Sequence, residues 1–217
     1  MSKIELHIFT NSAANSPSTK IIMQTYKSFC DTFGPVVPAG VWMDSKPNVR
    51  KAMKYKVNLS QKFRIVHDCD SLSDGYIKAV KSSNADWIFI LEHDWIFKTE
   101  MIHHDIEQII ECMKAQNIYH MRFNKRANEL KGWDTTLEEN SYGDFKWCKT
   151  NILSNNPHII NRKKILDFIN KKYIVVKPGS KGIEEVISSK PETWGAIYGP
   201  LGHPNTVWHT DGKKVMI

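Results

Sequence analysis

The sequence has 217 residues, of which 41% are hydrophobic and 24% are charged. This length suits one domain with a sizeable core, and no apolar run reaches the length of a membrane-spanning helix. The formal net charge of +7 attracts anions in general, but without an RNP, KH or zinc-finger pattern it does not indicate a nucleic-acid-binding module.

Short apolar segments alternate with amphipathic helices, which predicts an α/β fold with a mainly parallel central sheet flanked by helices. In such a sheet, ligands bind at the edge where the strands end. A polar stretch at 124–149 is predicted as a long loop, a kind of segment that is often functional. Strands are predicted at 4–10, 37–43, 63–66, 87–91, 118–123 and 154–160, and helices at 17–33, 73–82, 99–115, 162–172 and 183–189.

The run 87–91 is unbroken and apolar, as expected of a central strand covered on both faces. It stops at Glu92, His93 and Asp94. Two carboxylates one residue apart can both reach a hard cation, because the buried strand anchors their backbone. Such a cation would neutralise and orient a diphosphate. A strand end that simply turns polar at the surface is the alternative interpretation.

Segments 73–79 and 84–94 together resemble the glycosyltransferase A-type fold, in which a helix precedes a hydrophobic strand that ends in a DxD motif. The resemblance implies a single-domain nucleotide-diphospho-sugar transferase (GT-A-like) fold, with Mn²⁺ or Mg²⁺ bound through Glu92 and Asp94. The sequence departs from the motif by carrying glutamate first, whose longer arm makes Asp94 the better placed ligand. In size and C-terminal style the chain resembles small members encoded by viruses or phages.

A literal DxD motif occurs earlier, at Asp68 and Asp70, but it precedes the predicted helix instead of following the central strand. In families resembling this one, that earlier strand end faces the nucleotide base and ribose. The resemblance therefore assigns Asp68 and Asp70 to nucleotide contact. Capping of the loop is the alternative, because aspartate side chains readily bond nearby backbone amides.

Segment 182–187 is similar to the family's short acidic motif at a helix start, whose last carboxylate is the base in inverting members. Glu185 is the matching position, and Glu184 precedes it. A base is needed because the acceptor hydroxyl must lose its proton as it attacks the anomeric carbon. Acidic residues also favour helix N-termini through the helix dipole, which is the alternative explanation.

Segments 198–202 and 207–212 resemble the family's C-terminal segment, in which a histidine returns to the metal or the diphosphate. His209 is the matching candidate for a metal ligand. His93 is assigned to the donor site as a residue that supports its acidic neighbours. His93, His103 and His104 could form a rival cluster, but adjacent helical residues point to different faces. These histidines are therefore expected at the surface or in support of the site.

The same resemblance implies further donor contacts. Residues 1–94 would form a nucleotide-sugar-binding half, and residues 95–217 an acceptor-binding half with a closing tail. Trp194 is a candidate for stacking on a sugar face, with plain core packing as the alternative. Thr10, Asn11 and Ser12 would contact the base, Asp44 the base or ribose, and Lys78 the donor phosphates.

The sequence thus predicts a metal-dependent hexosyl- or pentosyltransferase that moves a sugar from a nucleoside diphosphate donor, with UDP-sugars favoured, to a hydroxyl of a glycan or glycoprotein. An inverting mechanism is favoured. A metal-dependent phosphohydrolase or nucleotidyltransferase is the first alternative, and a non-catalytic nucleotide or nucleic-acid binding module is the second. The four scattered cysteines are expected as free thiols. With no signal-peptide pattern, the expected location is the cytoplasm, the host's if the source is a virus.

Overall fold

The computed structural model describes residues 3–11, 18–44, 49–132, 134–171 and 194–210. The α/β class is confirmed, with a large sheet flanked by helices. The described strands are β1 (Ile4–Asn11), β2 (Gly40–Asp44), β3 (Val66–Cys69), β4 (Trp87–Glu92), β5 (Trp95–Phe97), β6 (His120–Arg122), β7 (Leu137–Tyr142), β8 (Phe145–Thr150), β9 (His158–Asn161), β10 (Gly195–Tyr198) and β11 (Val207–His209). The described α-helices are α1 (Lys20–Phe33), α2 (Val49–Ser60), α3 (Leu72–Ser82), α4 (Ile106–Ala115) and α5 (Arg162–Asn170).

Nine of these strands form one sheet in the order β3-β2-β1-β4-β9-β6-β10-β8-β7. Strands β3, β2, β1 and β4 pair in parallel, as the sequence predicts. Strand β9 runs antiparallel to both of its neighbours, β4 and β6, and β7 and β8 form an antiparallel hairpin at the far edge. The sheet is therefore mixed, and its parallel part carries the strand ends predicted to bind the donor.

Strand β4 is apolar throughout because both of its faces are buried. Trp87, Phe89 and Leu91 pack in one hydrophobic cluster with residues of α1, α2 and α4. Ile88 and Ile90 point to the other face and pack with residues of α3 and α5. Helices on both faces thus hold this strand in the middle of a three-layer structure.

A cluster of phenylalanines supports the turn that follows β4. The ring centroids of Phe29 and Phe89 are 4.9 Å apart, and those of Phe33 and Phe97 are 5.3 Å apart. Phe123, just after β6, stacks on Phe89 at 5.7 Å. Because these rings join α1, β4, β5 and β6, the backbone between β4 and β5 rests on a packed layer.

The structure corrects two sequence-based assignments. The third strand begins at Val66, where its predicted span 63–66 ends, and Phe63 packs in the core after a helix, α2, that was not predicted. Helix α2 buries Ala52, Tyr55 and Leu59 at helical spacing, but four basic residues among its twelve dilute that pattern. The predicted loop 124–149 contains the hairpin of β7 and β8, whose exposed first strand lacks apolar alternation.

The predicted helix 99–115 is also divided. A short 3-10 helix spans Thr99–Met101, and α4 begins only at Ile106. The side chain of Asp105 accepts a hydrogen bond from the backbone of Gln108, and the Gln108 side chain accepts one from the backbone of Asp105, so a capping box starts the helix.

None of the helices in the described part of the chain combines the length and apolar character needed to cross a membrane. All four cysteines are free.

Candidate functional site

Parallel pairing brings the ends of four strands to one edge of the sheet. Asn11 of β1 lies opposite Asp44 of β2, and Asp44 lies opposite Cys69 of β3. On the other side of β1, Phe9 lies opposite Glu92 of β4. Residues that are distant in sequence thus share the edge at which open α/β sheets bind ligands.

The backbone of His93 anchors the turn after β4. Its N–H donates to the carbonyl of Phe9 at 2.9 Å, and its carbonyl accepts a 2.5 Å hydrogen bond from the hydroxyl of Thr25 on α1. The side chain is only 4% exposed, and burial lowers its pKa. The buried position of His93 beside Asp94 suits a supporting role, and its contact with the donor stays a prediction.

The C-terminal part of the described chain returns to Asp94. Strand β11 pairs antiparallel with β5 so that His209 lies opposite Trp95, with ring centroids 4.5 Å apart. The backbone N–H of Thr210 donates to the carbonyl of Asp94 at 2.8 Å. The Nε2 atom of His209 lies 3.2 Å from Oδ2 of Asp94. The structure therefore brings together two of the three residues predicted to bind a metal.

The Asp94 carboxylate is ionised, and one of its oxygens has no hydrogen-bond partner in the part of the chain that the structure describes. Burial raises its pKa, but the hydrogen bond from His209 and the nearby imidazoles of His93 and His209 outweigh burial, so the pKa is lowered. This oxygen is Oδ1, which is buried and finds no hydrogen-bond partner among the described residues. A buried ionised oxygen without a partner is costly, and a cation would satisfy it.

Asp94 and His209 fit part of a divalent-metal site. Two ligands in adjacent octahedral positions at 2.0–2.1 Å from a metal are roughly 3 Å apart, close to the 3.2 Å between Nε2 and Oδ2. Within the described residues, no group of three or more His, Cys, Asp or Glu side chains could hold a metal. Magnesium often takes only one or two carboxylates and completes its shell with water and substrate phosphates. The two side chains therefore suit an ion that is completed by a diphosphate.

A cleft of about 620 Å³ opens beside this pair. Glu92, Trp95 and His209 line one wall, so the third predicted metal ligand faces the same space as the histidine. The volume is typical of a site for a small ligand. The remaining lining residues come from the end of β6, the loop after it and the segment before β9: Arg122, Asn124, Lys125, Arg126, Lys131, Asp134, Ile152, Ser154, Asn155 and Asn156.

Arg122 and Asp134 form a buried ion pair in the cleft, which the sequence analysis missed. Arg122 is 2% exposed and donates to the carbonyl of Ile152 at 3.1 Å as well as to Asp134. The hydroxyl of Thr150 also donates to Asp134, at 3.0 Å. The available signal was the position of Arg122 at the end of β6, which is another strand end in a sheet that binds ligands there.

Three of the predicted donor residues have partners within the fold. The hydroxyl of Thr10 shares a 2.8 Å hydrogen bond with that of Tyr55 on α2. The exposed Asp68 pairs with Lys56, also on α2. Lys78 pairs with Asp74 one turn earlier on α3, at 2.7 Å. These contacts give each side chain a structural role, and donor contact stays a prediction.

The hydrogen bonds at the start of α3 show which residues cap this loop, for which Asp68 and Asp70 were the alternative candidates. The residue that caps α3 is Ser71, whose side chain accepts from the backbone N–H of Asp74. The Asp74 carboxylate in turn accepts from the backbone N–H of Asp70. Capping in this loop therefore involves Ser71 and Asp74, and nucleotide contact by Asp68 and Asp70 stays a prediction.

Some predicted positions lie outside the described residues. These are Ser12, Glu184 and Glu185, so their roles stay predictions. Trp194 is described, and it stacks on Trp147 with centroids 6.2 Å apart and packs against both hydrophobic clusters. This packing favours the interpretation that Trp194, which is partly buried, packs against the core.

The fold resembles solved structures of TarS from S. aureus, a glycosyltransferase. A structure of TarS 1–349 matches with a TM-score of 0.57 and 12% identity, over 95% of this chain and 60% of that one. The complex of TarS with UDP-GlcNAc gives a TM-score of 0.56 at 12% identity, over 97% of this chain and 62% of that one. The complex with UDP gives 0.50 at 12% identity, over 85% and 53%.

These likenesses confirm the expected GT-A-like fold. The chain spans about three fifths of the length of the first two TarS chains, at 60% and 62%. No protein-family model matches the sequence, and no curated protein is significantly similar to it. The resemblance to virus- or phage-encoded members stays a prediction.

Proposed function

We propose that this protein is a metal-dependent glycosyltransferase that moves a sugar from a nucleoside diphosphate donor to a hydroxyl. The observation that carries the proposal is the ionised carboxylate of Asp94, in the turn after the central strand of a GT-A-like fold. One of its oxygens is buried without a hydrogen-bond partner among the described residues, and His209 lies beside it. Binding of UDP-GlcNAc and UDP by TarS supports a UDP-sugar as the donor here.

The fold suggests how the donor would lie. The nucleotide would contact Asn11 and Asp44, which are neighbours at the ends of β1 and β2. Asp94 and His209 would hold Mn²⁺ or Mg²⁺ at the diphosphate, with Glu92 on the wall of the cleft beside them. The bound ion would neutralise the diphosphate and stabilise its departure. Hard oxygen ligands together with one imidazole suit both ions, Mn²⁺ the better of the two.

The acceptor would enter the cleft on the side of Trp95 and Asn156. In the inverting mechanism that we favour, the acceptor oxygen bonds to the anomeric carbon as the bond to the diphosphate oxygen breaks. The hydroxyl proton passes to a carboxylate, for which Glu185 is the candidate. The nucleoside diphosphate leaves with the electron pair of the broken bond.

The proposal is tested by incubating the protein with a panel of UDP-, GDP- and TDP-sugars, with Mn²⁺ or with EDTA, and identifying the nucleotide product. Even without an acceptor, slow transfer to water should release a nucleoside diphosphate in Mn²⁺ and not in EDTA. Release of a nucleoside monophosphate with sugar 1-phosphate would instead identify the phosphohydrolase alternative. Formation of a nucleoside triphosphate with sugar 1-phosphate when pyrophosphate is added would identify the nucleotidyltransferase alternative.

A further inference from the structure

The cleft beside the metal ligands is basic. Four of its lining residues are cations, namely Arg122, Lys125, Arg126 and Lys131, and only Asp134 and Glu92 are carboxylates. Arg122 is neutralised by its buried pair with Asp134. A divalent ion held by Asp94 and His209 would offset the negative charge of the nearby Glu92. The cleft then keeps a surplus of positive charge.

Three of the cations have no ion pair with any carboxylate in the described part of the chain: Lys125, Arg126 and Lys131. The Nζ atom of Lys125 lies 5.8 Å from the ring centroid of Trp95. This weak cation–π contact involves a neutral ring and leaves the positive charge of Lys125 in place. All three side chains are exposed at the cleft. We call Lys125, Arg126 and Lys131 the basic rim.

Sheet topology separates the basic rim from the strand ends that would hold the nucleotide. The rim follows β6, and β6 is two places beyond β4 in the sheet, on the side away from β1, β2 and β3. Glu92 and His209 form the wall between these two regions. An anion bound at the rim would thus lie on the far side of the reacting centre from the nucleotide, where an acceptor must approach.

Buried polar contacts also hold in place the loop that carries the basic rim. The Arg122–Asp134 pair, tied to the hydroxyl of Thr150, connects the end of β6 to the far end of the rim loop. Asn128 lies in the middle of that loop and donates to the carbonyl of Tyr198 at 2.9 Å. A loop with buried polar attachments can present charges at defined positions.

We propose that the basic rim binds a phosphate group of the acceptor, so that the sugar is transferred to a hydroxyl of a phosphorylated acceptor. This inference rests on the proposed glycosyltransferase activity. Three cations match a doubly charged phosphate monoester better than a single carboxylate, and the Arg126 fork can bond two phosphate oxygens at once. The phosphate is not consumed, because only the acceptor hydroxyl proton and the donor's bond to its diphosphate are exchanged.

The test uses the full chain with Mn²⁺ and UDP, and glucose 6-phosphate, glucuronate and glucose as probes. Calorimetric titration should show that glucose 6-phosphate binds about ten- to hundredfold more tightly than glucose, with glucuronate between them. The preference should shrink as salt is raised, since the rim is exposed. Equal affinities for the three probes would overturn the proposal.

A matched pair of double variants tests whether the preference for glucose 6-phosphate over glucose comes from the basic rim. Arg126→Gln with Lys131→Gln should lose most of the preference for glucose 6-phosphate, while affinity for UDP stays unchanged. Lys54→Gln with Lys81→Gln removes the same charge from exposed positions on α2 and α3 and should behave as wild type. If the rim variant instead weakens UDP and glucose 6-phosphate equally, the rim serves the donor diphosphate and the proposal is wrong.

Failure of the proposed function would look different. In that case the wild-type protein would release no nucleoside diphosphate from any nucleotide sugar, with or without glucose 6-phosphate, and the acceptor role would be overturned together with the enzyme. If the function holds, saturating glucose 6-phosphate should raise the rate of UDP release from the preferred UDP-sugar in wild type and in the Lys54, Lys81 control. The rim variant should show no such increase.

Discussion

The Nε2 atom of His209 lies 3.2 Å from Oδ2 of Asp94, although one residue follows the central strand and the other lies near the C-terminus. The pairing of β5 with β11 brings them together, and the bond from Thr210 to the Asp94 carbonyl holds the register. A late segment of the chain therefore completes a site that begins at β4.

Replacing His209 tests whether this segment belongs to the site. His209→Ala should weaken Mn²⁺-dependent UDP binding by at least about tenfold, since one of two adjacent protein ligands is lost. The fold should survive, because the side chain is 29% exposed. Calorimetry measures the affinity. Trp208→Ala is the control, on the same strand but 54% exposed, and equal losses in both variants would reject His209 as a ligand.

The base assignment is tested by turnover. Glu185→Gln should lower kcat by roughly 10²- to 10⁴-fold while donor affinity changes little, because only proton acceptance is removed. Glu184→Gln should be milder, and the reverse order would mean that the motif is misaligned by one residue. Asp134→Asn is the comparison within the cleft. Near-normal turnover of Glu185→Gln together with a large kcat loss in Asp134→Asn would move the base to Asp134.

Thr25 is expected to position the metal turn without touching the donor. Its hydroxyl donates to the His93 carbonyl from a fully buried position. Thr25→Val keeps the shape but leaves that carbonyl without this donor, which should lower the free energy of unfolding by about 1–3 kcal/mol. Denaturant unfolding measures the loss, and Mn²⁺-dependent UDP binding should weaken as well. Thr25→Ser, which keeps the hydroxyl, should recover both, and failure to do so would contradict the positioning role.

Buried histidines predict a loss of stability in mild acid. Burial lowers the pKa of His158 from 6.5 to about 4, and its ring packs against His120 and Tyr76 with Arg122 nearby. The unfolded chain therefore binds more protons than the folded one between these values. Stability contributed by His158 should fall as the pH drops from 6.5 and level off below 4, by on the order of 3 kcal/mol in total.

Unfolding midpoints measured from pH 7 to pH 4 check this slope. His158→Gln should be less stable at pH 7 but show a shallower decline, because one depressed histidine is gone. A wild-type stability that is flat over this range would contradict the buried, neutral state of His158.

Local patterns predicted the parallel part of the sheet well, because β4 is covered on both faces and therefore reads as a continuous apolar run. They failed for α2, whose buried stripe of Ala52, Tyr55 and Leu59 is diluted by lysines, and for β7, which is a polar strand at the sheet edge. Both elements depend on tertiary contacts more than on their own pattern.

The candidate site likewise contains residues that local sequence patterns predict and residues that they do not. Asp94 was predictable because it directly follows a recognisable strand, and His209 was predicted from the family's C-terminal pattern. The Arg122–Asp134 pair and the basic rim were not predictable, because they meet Glu92 and His209 only through the insertion of β9 between β4 and β6. Strand order of this kind is a property of the whole sheet, which no local window reports.

Titration of UDP into wild type and Asp94→Asn, each with Mn²⁺ and with EDTA, tests the central claim most directly. Asparagine nearly preserves the shape but removes the anionic oxygen, so the fold should persist while the hard-cation site is lost. Wild type should bind UDP far more tightly in Mn²⁺ than in EDTA, and Asp94→Asn should bind with the weak EDTA affinity in both. Asp68→Asn, in the literal DxD, should keep the Mn²⁺ dependence of the wild type. Wild-type UDP affinity that is the same with and without Mn²⁺, or unchanged in Asp94→Asn, would contradict a metal-dependent donor site at the end of β4.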